Sequence, residues 1–261
     1  RSGKTASFTP QPNNARDFWN TGVTANTNVS FSQSNGAGQS LRVSYTNQNI
    51  KGMLPNTKSL RHNLNANFSM DLGSIFTIGA NLTYTNQLIS GEFSDGYANN
   101  SSGNFSQWFH RDLDLNKLKE LKDLTSPEGI LASWNHNNPG AYATSPLNFY
   151  GANYWYNFYS YFDKLDISEN RRRMFGDVNL TYKVNDNLKV AGFVRFNQGN
   201  TFGESKVPTI LQTSATQTGV RAGYSTYQTY GNIINNGNTP NEMNYELMAT
   251  YNKHINDFTI D

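Results

Sequence analysis

A regular alternation of apolar and polar residues recurs along this chain and constrains its fold more than any other feature. In the clearest run, residues 76–84, the even positions are apolar or aromatic and the odd positions are small or polar. Similar runs occur at residues 23–31, 41–45, 64–70, 178–184, 188–196, 245–251 and 258–260. A period of two places successive side chains on opposite faces of a β-strand, so the sequence predicts about eight two-faced strands.

The composition indicates where such strands are stable. Charged residues make up 15% of the chain and aromatic residues 13%, whereas soluble domains typically contain about 25% charged residues. No apolar run is long enough to form a transmembrane helix. A net charge of +2 excludes a broad nucleic-acid-binding surface, and the lack of cysteine excludes disulfides and thiolate sites. This mixture fits a wall that faces lipid on one side and water on the other.

The predicted connections alternate in length. Short turns are expected at residues 35–38, 72–74, 185–187 and 254–257, and longer links at roughly 50–60, 87–171 and 199–242. Short periplasmic turns and long extracellular loops are typical of an outer-membrane β-barrel. On this pattern the strand near residues 23–34 runs towards the periplasm, and residues 1–22 form an extracellular loop. The fold class predicted is an all-β, antiparallel transmembrane barrel.

The predicted strands do not close a barrel by themselves. A strand is expected before residue 1, and the run at 258–260 stops with the chain. Unpaired backbone groups at open sheet edges are not tolerated in lipid. The sequence therefore predicts that residues 1–261 are a single partial barrel domain, a fragment of a larger barrel.

The longest link contains a predicted helix and many aromatic residues. Leucines at near-helical spacing predict a short amphipathic helix at roughly 114–124, which Pro127 and Gly129 would close. Asp112 and Asp114 precede it, either as a carboxylate pair or as helix caps, and capping is favoured. We expect Trp134, Tyr154 and Trp155 to stack on sugar rings, as aromatic faces do. Alternatively, these rings pack the loop, contact a partner, or form part of an interfacial girdle.

Three consecutive arginines, Arg171, Arg172 and Arg173, stand where the longest link rejoins a strand. Arginine binds phosphate through paired hydrogen bonds, and lipopolysaccharide phosphates lie at this level of an outer membrane. The alternatives are a solvated loop end or an ion pair with Asp166 or Glu169. Four tyrosines near predicted strand ends are interpreted as interfacial belts, namely Tyr45, Tyr84, Tyr182 and Tyr251.

Covalent catalysis is not expected. The chain has four histidines, which are scattered and lack metal-ligand spacing. The triplet at residues 110–112 reads HRD, as in kinases, but no glycine-rich phosphate loop accompanies it. The sequence predicts no enzyme, no cofactor and no metal site.

Several stretches resemble one family of outer-membrane proteins. Residues 40–56 read SLRVSYTNQNIKGMLPN, with LRHN at 60–63. Residues 108–114 read WFHRDLD, residues 173–182 read RMFGDVNLTY with LKV at 188–190, and residues 17–22 read DFWNTG. In order and spacing these are similar to motifs of the SusC/RagA family of TonB-linked outer-membrane proteins.

The resemblance implies more than the residues themselves. It implies a barrel of about 22 strands with a plugged lumen, integral to the outer membrane of a Gram-negative bacterium. A SusD-like surface lipoprotein would close over it, and TonB would act on the plug to drive import of glycans or peptides. Neither the plug nor a TonB-contacting segment is visible in this sequence. Two alternatives remain open: a secreted, soluble all-β glycan-binding or adhesion module, and a passive porin or structural barrel.

Overall fold

The computed structural model describes residues 7–36, 38–91, 110–136, 143–153, 155–215, 227–230, 241–255 and 258–260. Within these residues, eight strands form one antiparallel sheet: β1 (Val23–Ser34), β2 (Ser40–Lys51), β3 (Lys58–Leu72), β4 (Phe76–Ser90), β5 (Asp166–Lys183), β6 (Leu188–Lys206), β7 (Tyr227–Tyr230) and β8 (Asn241–Tyr251). A separate pair follows, β9 (Lys253–Ile255) and β10 (Phe258–Ile260). The predicted all-β, antiparallel fold class is confirmed.

The sheet is a meander in sequence order. Each strand from β1 to β5 pairs with the next one along the chain. Two strands share the far edge of β6: β7 pairs with residues 203–206 and β8 with residues 188–198. Consecutive antiparallel strands put successive connections at opposite ends. We call the end that carries residues 52–57, the described residues between β4 and β5, and residues 207–215 the loop end, and the other the turn end.

Five short helices lie in the connections at the loop end: α1 (Asn14–Phe18), α2 (Leu115–Glu120), α3 (Pro146–Tyr150), α4 (Phe158–Lys164) and α5 (Thr209–Thr213). The helix predicted at 114–124 is shorter, because the chain turns at Leu121. Asp114 caps it, accepting hydrogen bonds from the backbone N–H groups of Asn116 and Lys117. In the described part of the chain, no helix has both the length and the apolar character needed to cross a membrane.

All three of the predicted long connections are wrong in extent. Residues 52–57 join β2 to β3, a link about as short as residues 35–39 between β1 and β2, so the lengths do not strictly alternate. The second link shrinks at both ends, because β4 continues to Ser90 and β5 already begins at Asp166. The third predicted link contains the end of β6 and all of β7. β4, β5 and β6 extend beyond the residues in which apolar and polar side chains alternate. This is possible because the backbone hydrogen bonds between strands do not depend on side-chain polarity.

The register aligns the apolar residues of neighbouring strands. We call each set of cross-strand partners on one face a row. Five consecutive rows on one face are almost wholly apolar, from the row of Tyr84 at the loop end to the row of Phe76 at the turn end. Their large members are Val29, Phe31, Leu41, Val43, Tyr45, Leu64, Phe68, Met70, Leu72, Phe76, Ile78, Leu82, Tyr84, Met174, Val178, Leu180, Tyr182, Val190, Val194, Phe196, Met243, Tyr245 and Leu247. This set is called the apolar band.

The buried core lies outside the sheet. Among the buried hydrophobic residues of the described chain, Ala191 alone belongs to a strand. The others come from the loop end, and all of them except Ile130 form one cluster, here called the loop cluster: Phe18, Leu115, Leu118, Leu131, Ala152, Trp155, Tyr156, Phe158, Tyr159, Tyr161, Phe162, Val207, Leu211 and Ala215. The long connections therefore bury each other's aromatic residues and leave both faces of the sheet uncovered.

Candidate functional site

The apolar band is exposed although it is the most regular part of the fold. Leu180 lies near its middle and is 46% exposed, and Leu247 is 80% exposed. With strands about 4.8 Å apart and about 3.4 Å per residue, the band measures roughly 29 Å by 27 Å. The largest apolar patch on a soluble monomer is usually about 300–600 Å². A surface of this size requires an apolar environment or an apolar partner.

Aromatic residues lie at both edges of the apolar band. Tyr45 and Tyr84 flank Leu64 in the row nearest the loop end. At the turn end, Phe76 and Tyr182 are cross-strand partners whose rings stack with centroids 5.0 Å apart. Aromatic girdles at both interfaces bound the apolar belt of membrane barrels. Three of the four predicted belt tyrosines, Tyr45, Tyr84 and Tyr182, thus lie at the edges of the apolar band.

The opposite face of the sheet is polar and satisfies many of its own hydrogen bonds. The Thr83 hydroxyl donates to the Asn65 amide oxygen over 3.0 Å, and the Asn81 amide donates to Asp177 over 3.0 Å. Arg195 forms an ion pair with Glu246 across β6 and β8. A cavity of about 460 Å³ opens on this face near the turn end. A face of this kind is stable only against water or polar groups.

The loop cluster connects segments that lie far apart in the sequence. The Tyr156 hydroxyl donates to the Leu211 carbonyl over 2.6 Å, and the Asn157 amide donates to the Leu118 carbonyl over 2.8 Å. Asn56, in the link between β2 and β3, donates to the Phe162 carbonyl over 3.1 Å. Asn56 has a φ of 60°, which asparagine tolerates better than most residues. A role for Asn56 in holding the loops was not predicted, although its place after Pro55 is a turn signal.

Ion pairs reinforce the loop cluster at its surface. Lys122 pairs with Asp163, whose hydrogen bond and charge raise the pKa of Lys122. Lys164 lies 2.9 Å from Asp123 and lowers the pKa of that carboxyl through its hydrogen bond and charge. Both pairs join the segment after α2 to α4. Because they are partly or largely exposed, we expect each to add only modest stability.

The predicted sugar platform lies at the loop cluster. Trp155 is buried at 7% exposure, and its ring is parallel to that of Trp134 with centroids 6.4 Å apart. Trp134 is only partly buried and also contacts the edge of His110, at 5.9 Å between ring centroids. The Trp134 indole N–H has no hydrogen-bond partner among the described residues, and Tyr154 lies outside them. Packing therefore accounts for Trp155, whereas Trp134 is only partly buried and its unpaired indole N–H lies inside the loop cluster rather than at its surface.

The three arginines divide between the two faces of the sheet. Arg171 and Arg173 lie on the polar face, where Arg171 pairs with Glu169 and Arg173 donates to Asn197 over 2.9 Å. Arg172 lies on the face of the apolar band and donates to Asn170 over 3.2 Å. Asp166, the other predicted partner, lies 3.7 Å from Lys206. One of the two predicted ion pairs, Arg171 with Glu169, is present.

Asp114 provides a test of the capping role against a carboxylate-pair role. Asp114→Ala should destabilise α2 by about 1 kcal/mol, because two backbone N–H groups lose their acceptor. Asp114→Asn should leave the stability of α2 nearly unchanged, since asparagine caps helices equally well. Amide hydrogen exchange at residues 116–118 measures the difference. Equal acceleration in both variants would show that the negative charge, not the cap, is what matters.

No metal centre is formed by the residues that the structure describes, since no three histidine or carboxylate side chains come together. A scan against protein-family models and a search of curated proteins both find no match for this chain. The resemblance to SusC/RagA proteins therefore rests on the sequence motifs alone.

Proposed function

We propose that this chain forms part of the lipid-facing wall of an outer-membrane β-barrel belonging to a TonB-dependent importer of the SusC/RagA kind. The observation that carries the proposal is the exposed apolar band, in register across seven strands and backed by a polar face. Lipid would cover the band, and water in the lumen would hydrate the polar face. The height of the band supports this, since about 27 Å along tilted strands crosses much of a hydrocarbon core.

The position of the core favours a membrane wall over a soluble module. A soluble all-β module buries the apolar face of its sheet against a second sheet or a helix layer. Here the helices and the buried aromatic residues gather at the loop end, and none of the loop cluster comes from the sheet. In a membrane wall the same arrangement is favourable, because lipid covers the sheet and the external loops must form a core of their own.

The import role rests on the family resemblance. The motif at residues 40–56 covers β2 and the link that holds Asn56, and the motif at 173–182 lies on β5. A SusD-like lipoprotein would dock over the loop end, TonB would act through a plug, and glycans or peptides would pass along the polar face. Trp134 is the residue of the sugar platform best placed to contact such a ligand. Catalysis and cofactors have no part in this proposal.

Membrane extraction tests the proposal directly. We expect the chain to remain with outer membranes after washing with alkaline carbonate and to dissolve only in detergent. Unheated samples should migrate differently in gels from boiled samples, because a closed barrel resists denaturation by detergent. Release by carbonate, with one mobility before and after boiling, would mean a soluble module and would remove the basis of the proposal.

A passive porin is the competing membrane function. The full protein, reconstituted in planar bilayers, should show little steady conductance if a plug fills the lumen. A stable, open conductance of ordinary porin size would favour passive diffusion and contradict the importer.

A further inference from the structure

Arg172 lies just beyond the loop-end edge of the apolar band. Its cross-strand partners are Asn86 on β4 and Asn200 on β6, and the next row towards the band contains Tyr84 and Met174. One row corresponds to about 7 Å along the strand, or roughly 5 Å along the membrane normal for a strand tilted by about 40°. The guanidinium is therefore at the level where headgroups begin, on the side that would face lipid.

Among the described residues, the surroundings of Arg172 contain amides and no carboxylate. Asn170 accepts a hydrogen bond from the guanidinium at 3.2 Å, and Asn86 and Asn200 stand on either side. The nearest acidic residue described on this face is Glu204, two rows farther out, and it lies 3.5 Å from Lys206. Arg172 thus keeps most of its donors for an external acceptor, whereas Arg171 already has a carboxylate partner.

A second pair of cations lies farther from the band on the same face. Lys51 on β2 and Lys58 on β3 are direct cross-strand partners, and the ion pairs of the described residues include neither of them. Like charges placed opposite each other destabilise a sheet unless an anion lies between them. The row of Lys51 and Lys58 is two rows beyond the row of Arg172.

We infer that Arg172 on β5, together with Lys51 and Lys58 two rows farther out on the neighbouring strands β2 and β3, binds the phosphate groups of an outer-leaflet lipid, and that Arg171 and Arg173 do not. The inference rests on the proposed function, because it requires the apolar band to face lipid. It deepens that function by identifying a lipid partner from its chemistry: acyl chains against the band and phosphates at the cations. Arginine binds such oxyanions through paired, charge-assisted hydrogen bonds, and amides add further donors.

The test uses the complete barrel of which this chain is proposed to form part, folded in uncharged detergent micelles and titrated with lipid A that carries its phosphates. The midpoint of thermal loss of the folded gel mobility reports binding, since a ligand of the folded state stabilises it. We expect Arg172→Gln to weaken the apparent affinity by about tenfold or more, and Lys51→Gln with Lys58→Gln to weaken it further. Arg171→Gln is the matched control on the opposite face and should change the affinity by less than about twofold.

The possible outcomes separate the inference from the proposed function. If the wild-type chain folds in micelles but Arg171→Gln and Arg172→Gln weaken binding equally, the face assignment is wrong and the inference fails. Equal binding of dephosphorylated lipid A, or displacement by millimolar inorganic phosphate, would also overturn it, because the site would then not be specific for a lipid phosphate. If Arg172→Gln does not fold, Arg172→Lys takes its place, because lysine keeps the positive charge. We then expect Arg172→Lys to bind lipid A more tightly than the double variant that carries Lys51→Gln and Lys58→Gln. A complete protein that never enters micelles contradicts the proposed function instead.

Discussion

Leu180→Arg is expected to destabilise the proposed membrane-inserted state by up to about 2–4 kcal/mol, because it places a cation inside the apolar band, on the face proposed to contact lipid. Leu180 lies in the fourth of the five rows of the apolar band, between Ile78 on β4 and Gly192 on β6. Neither neighbour offers a polar group on that face. Urea titration of the chain folded in vesicles, followed by gel mobility, measures the loss of stability.

Thr181→Arg is the matched control, because it introduces the same side chain one residue away on the opposite face. Thr181 has Thr77 and Ala191 as cross-strand partners on the polar face. An arginine there would reach water and neighbouring polar groups, so we expect a cost below about 1 kcal/mol. Equal destabilisation by the two substitutions would contradict the assignment of the faces to lipid and lumen. Two negligible effects would indicate that neither face contacts lipid.

Phe158→Ala is expected to cost the loop cluster about 3–5 kcal/mol, through lost burial and the cavity left behind. Phe158 is fully buried, and its ring lies 5.8 Å from that of Phe18 and 5.7 Å from that of Trp134. It therefore joins the segment before β1 to the longest connection. Hydrogen exchange should accelerate in α2, α4 and the segment around Leu211. The strands should keep their protection, because their ladder of backbone hydrogen bonds does not involve Phe158.

Phe8→Ala removes the same side chain at a position that is 68% exposed. Its effect should stay within about 0.5 kcal/mol, as for other surface substitutions. The contrast separates loss of the core from loss of a phenylalanine. If Phe158→Ala abolished the folded gel mobility of the whole chain, the loop cluster and the sheet would be one cooperative unit, which the separation of core and strands argues against.

The alternation of residues 76–84 was enough to predict β4 and to assign its two faces, because a period of two is a local property of the chain. The same holds for the other long strands, and for the cap at Asp114, which acts only two and three residues along. The strand ends were less predictable. Near Ser90, where β4 ends, and Asp166, where β5 begins, apolar and polar residues do not alternate. The strands extend that far only because β4 and β5, which are distant in the sequence, pair with each other.

The arginines show where local pattern stops being informative. Alternation alone separates Arg172 from Arg171 and Arg173, yet the row of asparagines around Arg172 depends on β4 and β6 lying on either side of β5. The predicted sugar platform has the same limit. Nothing adjacent to Trp155 in the sequence distinguishes a buried ring from a partly exposed one such as Trp134.

The sequence by itself determined that this chain forms two-faced antiparallel strands, since side-chain direction follows from the backbone of each strand. The tertiary structure decided the register that joins separate apolar runs into one band, and the packing of long connections into the loop cluster. The bond from Asn56 to Phe162 spans 106 positions, and no short-range pattern specifies such a partner. Contacts between residues so far apart in the sequence form only when the sheet brings the connections at its loop end together.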